Sequence, residues 1–268
     1  TLDAGRQDAD VRAAKKDTEK ERGACNMKKP EIWAHRGASG YCPENTLPAF
    51  EKAVEMGAQG IELDIQLTKD EKIVVIHDEW INRTSDGEGW VKDYTLEELR
   101  RYNYNKNFPE LGHVDIPTME EVFALIRPTD LIINIELKTG IVFYDRLEER
   151  ILELTKRMGM EDRVIYSSFN HYSIKKIHEL DPKAQVGFLF SDGTMDMAEY
   201  GAKHGVNALH PALYYLQYPG FVQQCKERGI KINTWTVNEP EYMKLCCQAG
   251  VDAIITNYPD LALEVAAG

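Results

Sequence analysis

From residue 31 onward, short β-branched runs alternate eight times with longer amphipathic runs, and this rhythm constrains the fold more than any other feature. The short runs fall at 31–34, 60–65, 131–137, 163–168, 185–190, 206–210, 230–236 and 252–256. Their lengths and flanking turn residues predict strands. Helical periodicity covers 46–56, 118–127, 144–159, 171–180, 195–204, 219–228 and 240–249, and 260–266 closes the chain. Pro117-Thr-Met-Glu-Glu121 and Asn238-Glu-Pro-Glu241 carry helix start signals, while Gly57, Gly205, Gly229 and Gly250 stand where helices should stop. Eight strand–helix units in succession predict an α/β fold, a TIM (β/α)8 barrel of parallel strands inside a ring of helices. An open doubly wound sheet is the alternative. It is weakened because no Gly-rich phosphate loop opens any of the helices. The length of 268 residues suits a single barrel domain.

Residues 78–117 interrupt the rhythm. A further short strand is expected at 73–76, the stretch Arg83-Thr-Ser-Asp-Gly-Glu-Gly89 is turn-rich, and a short helix starts near Thr95. This reads as a small insertion after the second strand, on the barrel face where active sites are built. Residues 1–26 carry six basic and six acidic side chains with almost no large apolar ones. They read as a charged N-terminal tail and not as a signal peptide, with Met27 a natural start and 27–268 one domain.

Charge and cysteines narrow the partners. A net charge of −12 argues against a general nucleic-acid or anionic-membrane binder, and no apolar run approaches the ~20 residues of a membrane span. Cys25, Cys42, Cys225, Cys246 and Cys247 follow neither a zinc spacing nor a disulfide framework. Reduced thiols in a cytoplasmic setting are expected.

The chemistry concentrates at strand ends. In Gly60-Ile-Glu-Leu-Asp-Ile65 the two-residue period puts Glu62 and Asp64 on one face and Ile61, Leu63 and Ile65 on the other. At ~3.3 Å rise per residue the carboxylates lie about 6–7 Å apart along a strand that should be buried, where an unpaired charge costs several kcal/mol. A bound cation is the most economical reason for them. Asn134, Glu136 and Lys138 share one face of the next strand. Neighbouring barrel strands would bring Glu62, Asp64 and Glu136 to one ion. Three carboxylates without clustered Cys or His favour a hard divalent cation, Mg²⁺ or Ca²⁺. His35 follows the first strand and His77 precedes Asp78, so one imidazole can remove a proton while the other donates one. Arg36 and Lys138 supply positive charge for a phosphoryl group, or balance the carboxylates. Trp235 faces the same mouth, either as an apolar wall against a substrate or as filling for the barrel.

The segments HRGASGYCPENT (35–46), ELD (62–64), HDE (77–79), IPTMEEV (116–122), NIELK (134–138), SSFN (167–170), WTVN (235–238) and GVDAIITNYPD (250–260) together resemble the glycerophosphodiester phosphodiesterase family, in order, over roughly residues 31–263. The resemblance implies a TIM barrel with a small insertion after the second strand and one divalent cation, Ca²⁺ or Mg²⁺. It implies Glu62, Asp64 and Glu136 as metal ligands, His35 and His77 as the acid–base pair, and Arg36 and Lys138 as phosphate contacts. Glu44 and Asn45 match the PENT segment, whose implied role is to order the loop and support His35. Asn257 stands where family members often carry Asp; the expectation is that this removes a rim charge without touching the catalytic set.

The implied reaction is hydrolysis of glycerophosphodiesters, such as glycerophosphocholine or glycerophosphoethanolamine, to sn-glycerol 3-phosphate and an alcohol. The same barrel acting on lysophospholipids is the nearest alternative, with Leu213-Tyr-Tyr-Leu-Gln-Tyr218 and the insertion able to supply an apolar strip. A non-catalytic phosphodiester-binding module would have lost part of the charged set, and none of it is missing.

Overall fold

The computed structural model describes residues 29–268; the charged tail expected at 1–26 lies outside them. In chain order the strands are β1 (Glu31–His35), β2 (Gly60–Leu67), a short β3 (Ile73–Val75), β4 (Ile132–Leu137), β5 (Val164–Ser168), β6 (Gln185–Phe190), β7 (Ala208–Pro211), β8 (Lys231–Thr234) and β9 (Ala253–Thr256). Eight of them run parallel, and β1 pairs with both β2 and β9, so the sheet closes into a barrel. β3 is antiparallel to β2 and stands outside the ring. A closed parallel barrel leaves neither of its two end strands with an unpaired edge, which an open doubly wound sheet would do.

The outer helices are α1 (Leu47–Glu55), α2 (Leu96–Leu99), α3 (Met119–Ile126), α4 (Leu147–Met158), α5 (His171–Leu180), α6 (Met197–Lys203), α7 (Phe221–Glu227), α8 (Pro240–Ala249) and α9 (Pro259–Ala267). α3 begins as its sequence predicts: the Thr118 hydroxyl accepts from Glu121 N–H, while the Glu121 carboxylate accepts from Thr118 N–H at 2.8 Å. Three helices start two to three residues later than periodicity suggests. Arg146, Asp196 and Gly220 each adopt a left-handed φ just before α4, α6 and α7, and such a residue cannot enter a right-handed first turn. Among the described residues no helix is long and apolar enough to cross a membrane.

The two-residue period divides the apolar residues between two places. Ile61, Leu63 and Ile65 are fully buried on the outer face of β2, in the shell between barrel and helices that also holds Phe50, Val122 and Phe123. Inside the barrel a smaller cluster packs Trp33, Ala253 and Ile255 with Ile132, Ile165 and Trp235. Above and among these, the interior carries buried polar side chains: Glu62, Asp64, Gln66, Asn134, Glu136, Ser167, His210 and Asn233. The segment between β2 and α3 owns a third cluster, in which Val74, Ile76, Ile81, Val91, Leu99, Tyr104 and Ile116 pack together. That cluster makes the excursion a rigid attachment beside the mouth.

Candidate active site

β2 runs on to Leu67, so Glu62 and Asp64 sit in mid-strand and not at its end. The extension comes from β3, whose Val75 and Ile73 pair with Ile65 and Leu67. The strand registers then fix the site. Glu62 lies opposite His35 on one side and Asn134 on the other, while Asp64 lies opposite Glu136. Glu62, Asp64 and Glu136 each present a carboxylate oxygen within 4.8 Å of the others, and their exposures are 5%, 0% and 7%. Burial, then the neighbouring Asp64, pushes the Glu62 carboxyl well above its ordinary range, and burial likewise raises Glu136. Burial works in the same direction on Asp64, but His77, Arg36, Lys138 and the Asn45 amide outweigh it and hold that carboxyl below its usual range.

Three buried carboxylates converging like this are costly without a cation between them. One oxygen, Asp64 Oδ1, is buried with no hydrogen-bond partner. The donor set is all hard oxygen, which fits a divalent cation of the Mg²⁺ or Ca²⁺ type.

The two histidines stand at this cluster, both with Nδ1 occupied. His77 donates from Nδ1 to Asp78 Oδ1 at 2.6 Å, and its Nε2 lies 3.2 Å from Lys138 Nζ. His35 lies 2.7 Å by its Nδ1 from Asn257 Oδ1, and its Nε2 is 3.9 Å from Glu62 Oε2. Burial, then Arg36, pushes the His35 imidazole down to about 4, which keeps it neutral at neutral pH. The expectation that Asn257 touches none of the catalytic set is thereby corrected. Barrel closure sets β9 beside β1, and the residue just past β9 reaches the ring that ends β1.

Arg36 takes a left-handed backbone, φ 55°, and its guanidinium binds Glu44 Oε1 at 2.8 Å with Nε 3.4 Å from Asp64 Oδ2. Gly37 follows with φ +79° and its α-carbon against the Ala49 backbone, where a Cβ would come within 2.6 Å of Ala49. Lys138 donates to Glu136 Oε1 at 2.9 Å and lies 3.9 Å from Asp64 Oδ1. Glu44 and Asn45 do support the site, but not at His35. Glu44 holds Arg36, and Asn45 donates its amide to Asp64 Oδ2 at 2.8 Å. Asn45 N–H donates to Arg36 O, one residue past β1, and from that anchored turn its amide reaches Asp64 on β2.

His35, Arg36, Glu62, His77, Asn134, Glu136, Phe169 and Trp235 line one cleft. Trp235 fills the barrel interior and also lines the cleft. Its indole N–H donates to His210 O at 2.8 Å and its ring packs on the interior cluster, while another face borders the cleft. Phe169 meets it edge-on at 5.5 Å, an aromatic wall of which the sequence pointed to only one half. Gln66 was also missed. Its amide donates to the carbonyl oxygens of His77 and Asp78 at 3.0 and 2.7 Å, fixing the backbone that carries His77. The signal was present, since Gln66 continues the inward series of Glu62 and Asp64. Arg83 was missed too; it binds Glu44 and Asp78 together.

The sequence profile of the Glycerophosphoryl diester phosphodiesterase family matches residues 35–261. A glycerophosphodiester phosphodiesterase of Caldanaerobacter subterraneus subsp. tengcongensis is 44% identical over 235 residues, 87% of this chain and 96% of that protein. One of Bacillus altitudinis is 40% identical over 252 residues, covering 88% and 97%. Among solved structures, a phosphodiesterase of Oleispira antarctica in complex with the product sn-glycerol-3-phosphate superposes with a TM-score of 0.81. It is 28% identical and covers 89% of this chain and 97% of that one.

Proposed function

The chain belongs to the glycerophosphoryl diester phosphodiesterase family and is a phosphoric diester hydrolase, and from that premise we propose how its own residues carry the reaction. The substrates are small glycerophosphodiesters such as glycerophosphocholine and glycerophosphoethanolamine, split to sn-glycerol 3-phosphate and an alcohol. The product held by the Oleispira relative supports that class. Glu62, Asp64 and Glu136 would hold one divalent cation, Ca²⁺ or Mg²⁺. When bound, it supplies Lewis-acid polarisation of the phosphodiester and a template for its orientation.

Arg36 and Lys138 meet the phosphate oxygens, since both present positive charge at the carboxylate cluster, where Arg36 also binds Glu44 and Lys138 also faces His77 Nε2. The single observation that carries the assignment of the acid and base is the asymmetry of the histidines' partners. His35 has a neutral amide at Nδ1 and is held neutral, so its Nε2 is the group that accepts the proton of the nucleophile, either water or the glycerol 2-hydroxyl, whose cyclic phosphate water then opens to sn-glycerol 3-phosphate. His77 has a carboxylate at Nδ1 that fixes its ring, with Nε2 at the cleft 3.2 Å from Lys138 Nζ, and it is assigned the proton that the departing alcohol needs. Phe169 and Trp235 border the apolar edge of the bound glycerol.

Turnover of glycerophosphocholine by His35→Ala and His77→Ala tests this reading. Each should fall by about 10²–10⁴-fold with the metal supplied in excess. Near-wild-type turnover in either variant would sink the assignment.

A lysophospholipid substrate is the second reading. Ile141 and Phe143 on the loop after β4, Met195 on the loop after β6 and Tyr172 in the first turn of α5, each 60–83% exposed, lie on the barrel face that holds the cleft. Faster hydrolysis of lysophosphatidylcholine than of glycerophosphocholine would favour it. The free Cys42, Cys225, Cys246 and Cys247 support a reducing, cytoplasmic setting.

A further inference from the structure

Arg83 has no part in the chemistry described so far, yet it touches both sides of it. It lies in a short 3₁₀ turn, Ile81–Arg83, in the excursion between β2 and α3. Its Nε donates to Asp78 Oδ2 at 2.6 Å and its Nη2 to Asp78 Oδ1 at 3.2 Å. The same guanidinium donates through Nη1 to Glu44 Oε2 at 2.6 Å and through Nη2 to Glu44 Oε1 at 2.7 Å. Each of these carboxylates has one further partner. Asp78 receives the Nδ1 proton of His77, and Glu44 receives Nη1 of Arg36.

An unbroken series of charged contacts therefore runs from His77 through Asp78, Arg83 and Glu44 to Arg36, and on to Asp64 at 3.4 Å. It joins the loop after β1 to the loop after β3.

We propose that Arg83 is a positioning residue, a bridge that fixes Asp78 and Glu44 together and so holds His77 with Nε2 toward the cleft and Arg36 toward the phosphate. The inference rests on the roles given above to His77 and Arg36. Geometry makes it specific to arginine. Only a planar guanidinium offers N–H pairs along two of its edges, each matched to one carboxylate; a lysine ammonium is a point charge that can serve one well or two poorly. The side chain is 43% exposed, and an isolated ion pair at that exposure would contribute little to stability. What Arg83 supplies is orientation, because both carboxylates would otherwise be free to turn away from their second partners.

The test uses the full chain, with the metal in excess, and the variants Arg83→Met and Arg83→Lys. Thermal melting establishes that each is folded. Both should lose about 10–100-fold in kcat/KM for glycerophosphocholine, the range seen when the partner that orients a functional side chain is removed. The loss should fall on kcat through His77 and on KM through Arg36. Free guanidinium at millimolar concentration should partly restore Arg83→Met and leave His77→Ala unchanged.

A readout independent of turnover is the ¹⁵N spectrum of the imidazoles in the metal-free protein. In Arg83→Met the His77 ring should lose its fixed Nδ1–H tautomer while the His35 ring keeps its own. If Arg83→Met misfolds, Glu44→Gln together with Asp78→Asn, which keep side-chain shape, carry the same comparison.

Turnover within about twofold of wild type in both Arg83 variants, with an unaltered His77 ring, would overturn the proposal. Should His77→Ala and Arg36→Met also stay active, it is the reading of the site that fails. If those two lose activity and the Arg83 variants do not, only the bridge is refuted.

Discussion

His35 and Asn257, separated by 222 positions in the chain, meet at 2.7 Å between Nδ1 and Oδ1. An amide oxygen there accepts the Nδ1 proton without adding charge, which leaves Nε2 as the only acceptor on the ring. Asn257→Ala removes that restraint. It should lower kcat for glycerophosphocholine by about 10–100-fold, while Asn257→Asp, which keeps an acceptor in place, should lose less. Equal losses in the two variants would show that the contact does not orient the ring.

Glu62 gives a prediction of opposite signs. Its charge is disfavoured by burial and by Asp64, so an isosteric Glu62→Gln should make the chelated protein more stable, by roughly 1–2 kcal/mol. With Ca²⁺ or Mg²⁺ present the order should reverse, because the variant has lost a ligand. Urea melts with EDTA and with metal check both halves, and calorimetric titration of the metal should show weaker binding by Glu62→Gln.

The inner histidine, His210, should make the fold acid-sensitive. It is fully buried beside Trp33 and Asn233, and burial pushes its imidazole down to about 3. The unfolded chain, titrating near ~6.5, takes up a proton first as pH falls. Stability held above that pH is therefore lost on descending toward 3, by up to ~1.4 kcal/mol per pH unit. Between pH 7 and pH 5, His210→Gln should lose about 2 kcal/mol less than the wild type in urea titrations.

Gln66 should couple stability to turnover. Replacing it with Leu leaves the His77 and Asp78 carbonyl oxygens without its donor and the Tyr144 hydroxyl without its acceptor. The expected cost is about 1–3 kcal/mol in unfolding free energy, with a fall in kcat larger than any change in KM. An unchanged kcat would mean that the backbone at His77 is held by β3 pairing alone.

The acidic cluster was legible because strand period is a local property and neighbouring units of a barrel are neighbours in space. Glu62 and Asp64 alternate with Ile61, Leu63 and Ile65, and the β2–β4 register puts Glu136 beside Asp64. What stayed hidden depends on where loops return. Glu44 and Asn45 follow His35 closely in sequence, but the turn carries them to Arg36 and Asp64. Arg83 reaches Glu44 across 39 positions, a distance that no spacing rule connects. Helix starts were overrun where Arg146 and Asp196 adopt a left-handed backbone, a state favoured for glycine that these side chains do not announce.

Closure of the ring has a consequence for how the protein is made. β1 can pair with β9 only after β9 has left the ribosome, and Asn257 follows it by one residue. Until then the nascent chain has two open sheet edges, at β1 and β8, and a His35 ring with no restraint at Nδ1. Synthesis of the last strand thus completes the site in the same event that closes the sheet. A chain stopped short of it carries every proposed metal ligand and phosphate contact and still lacks an ordered base.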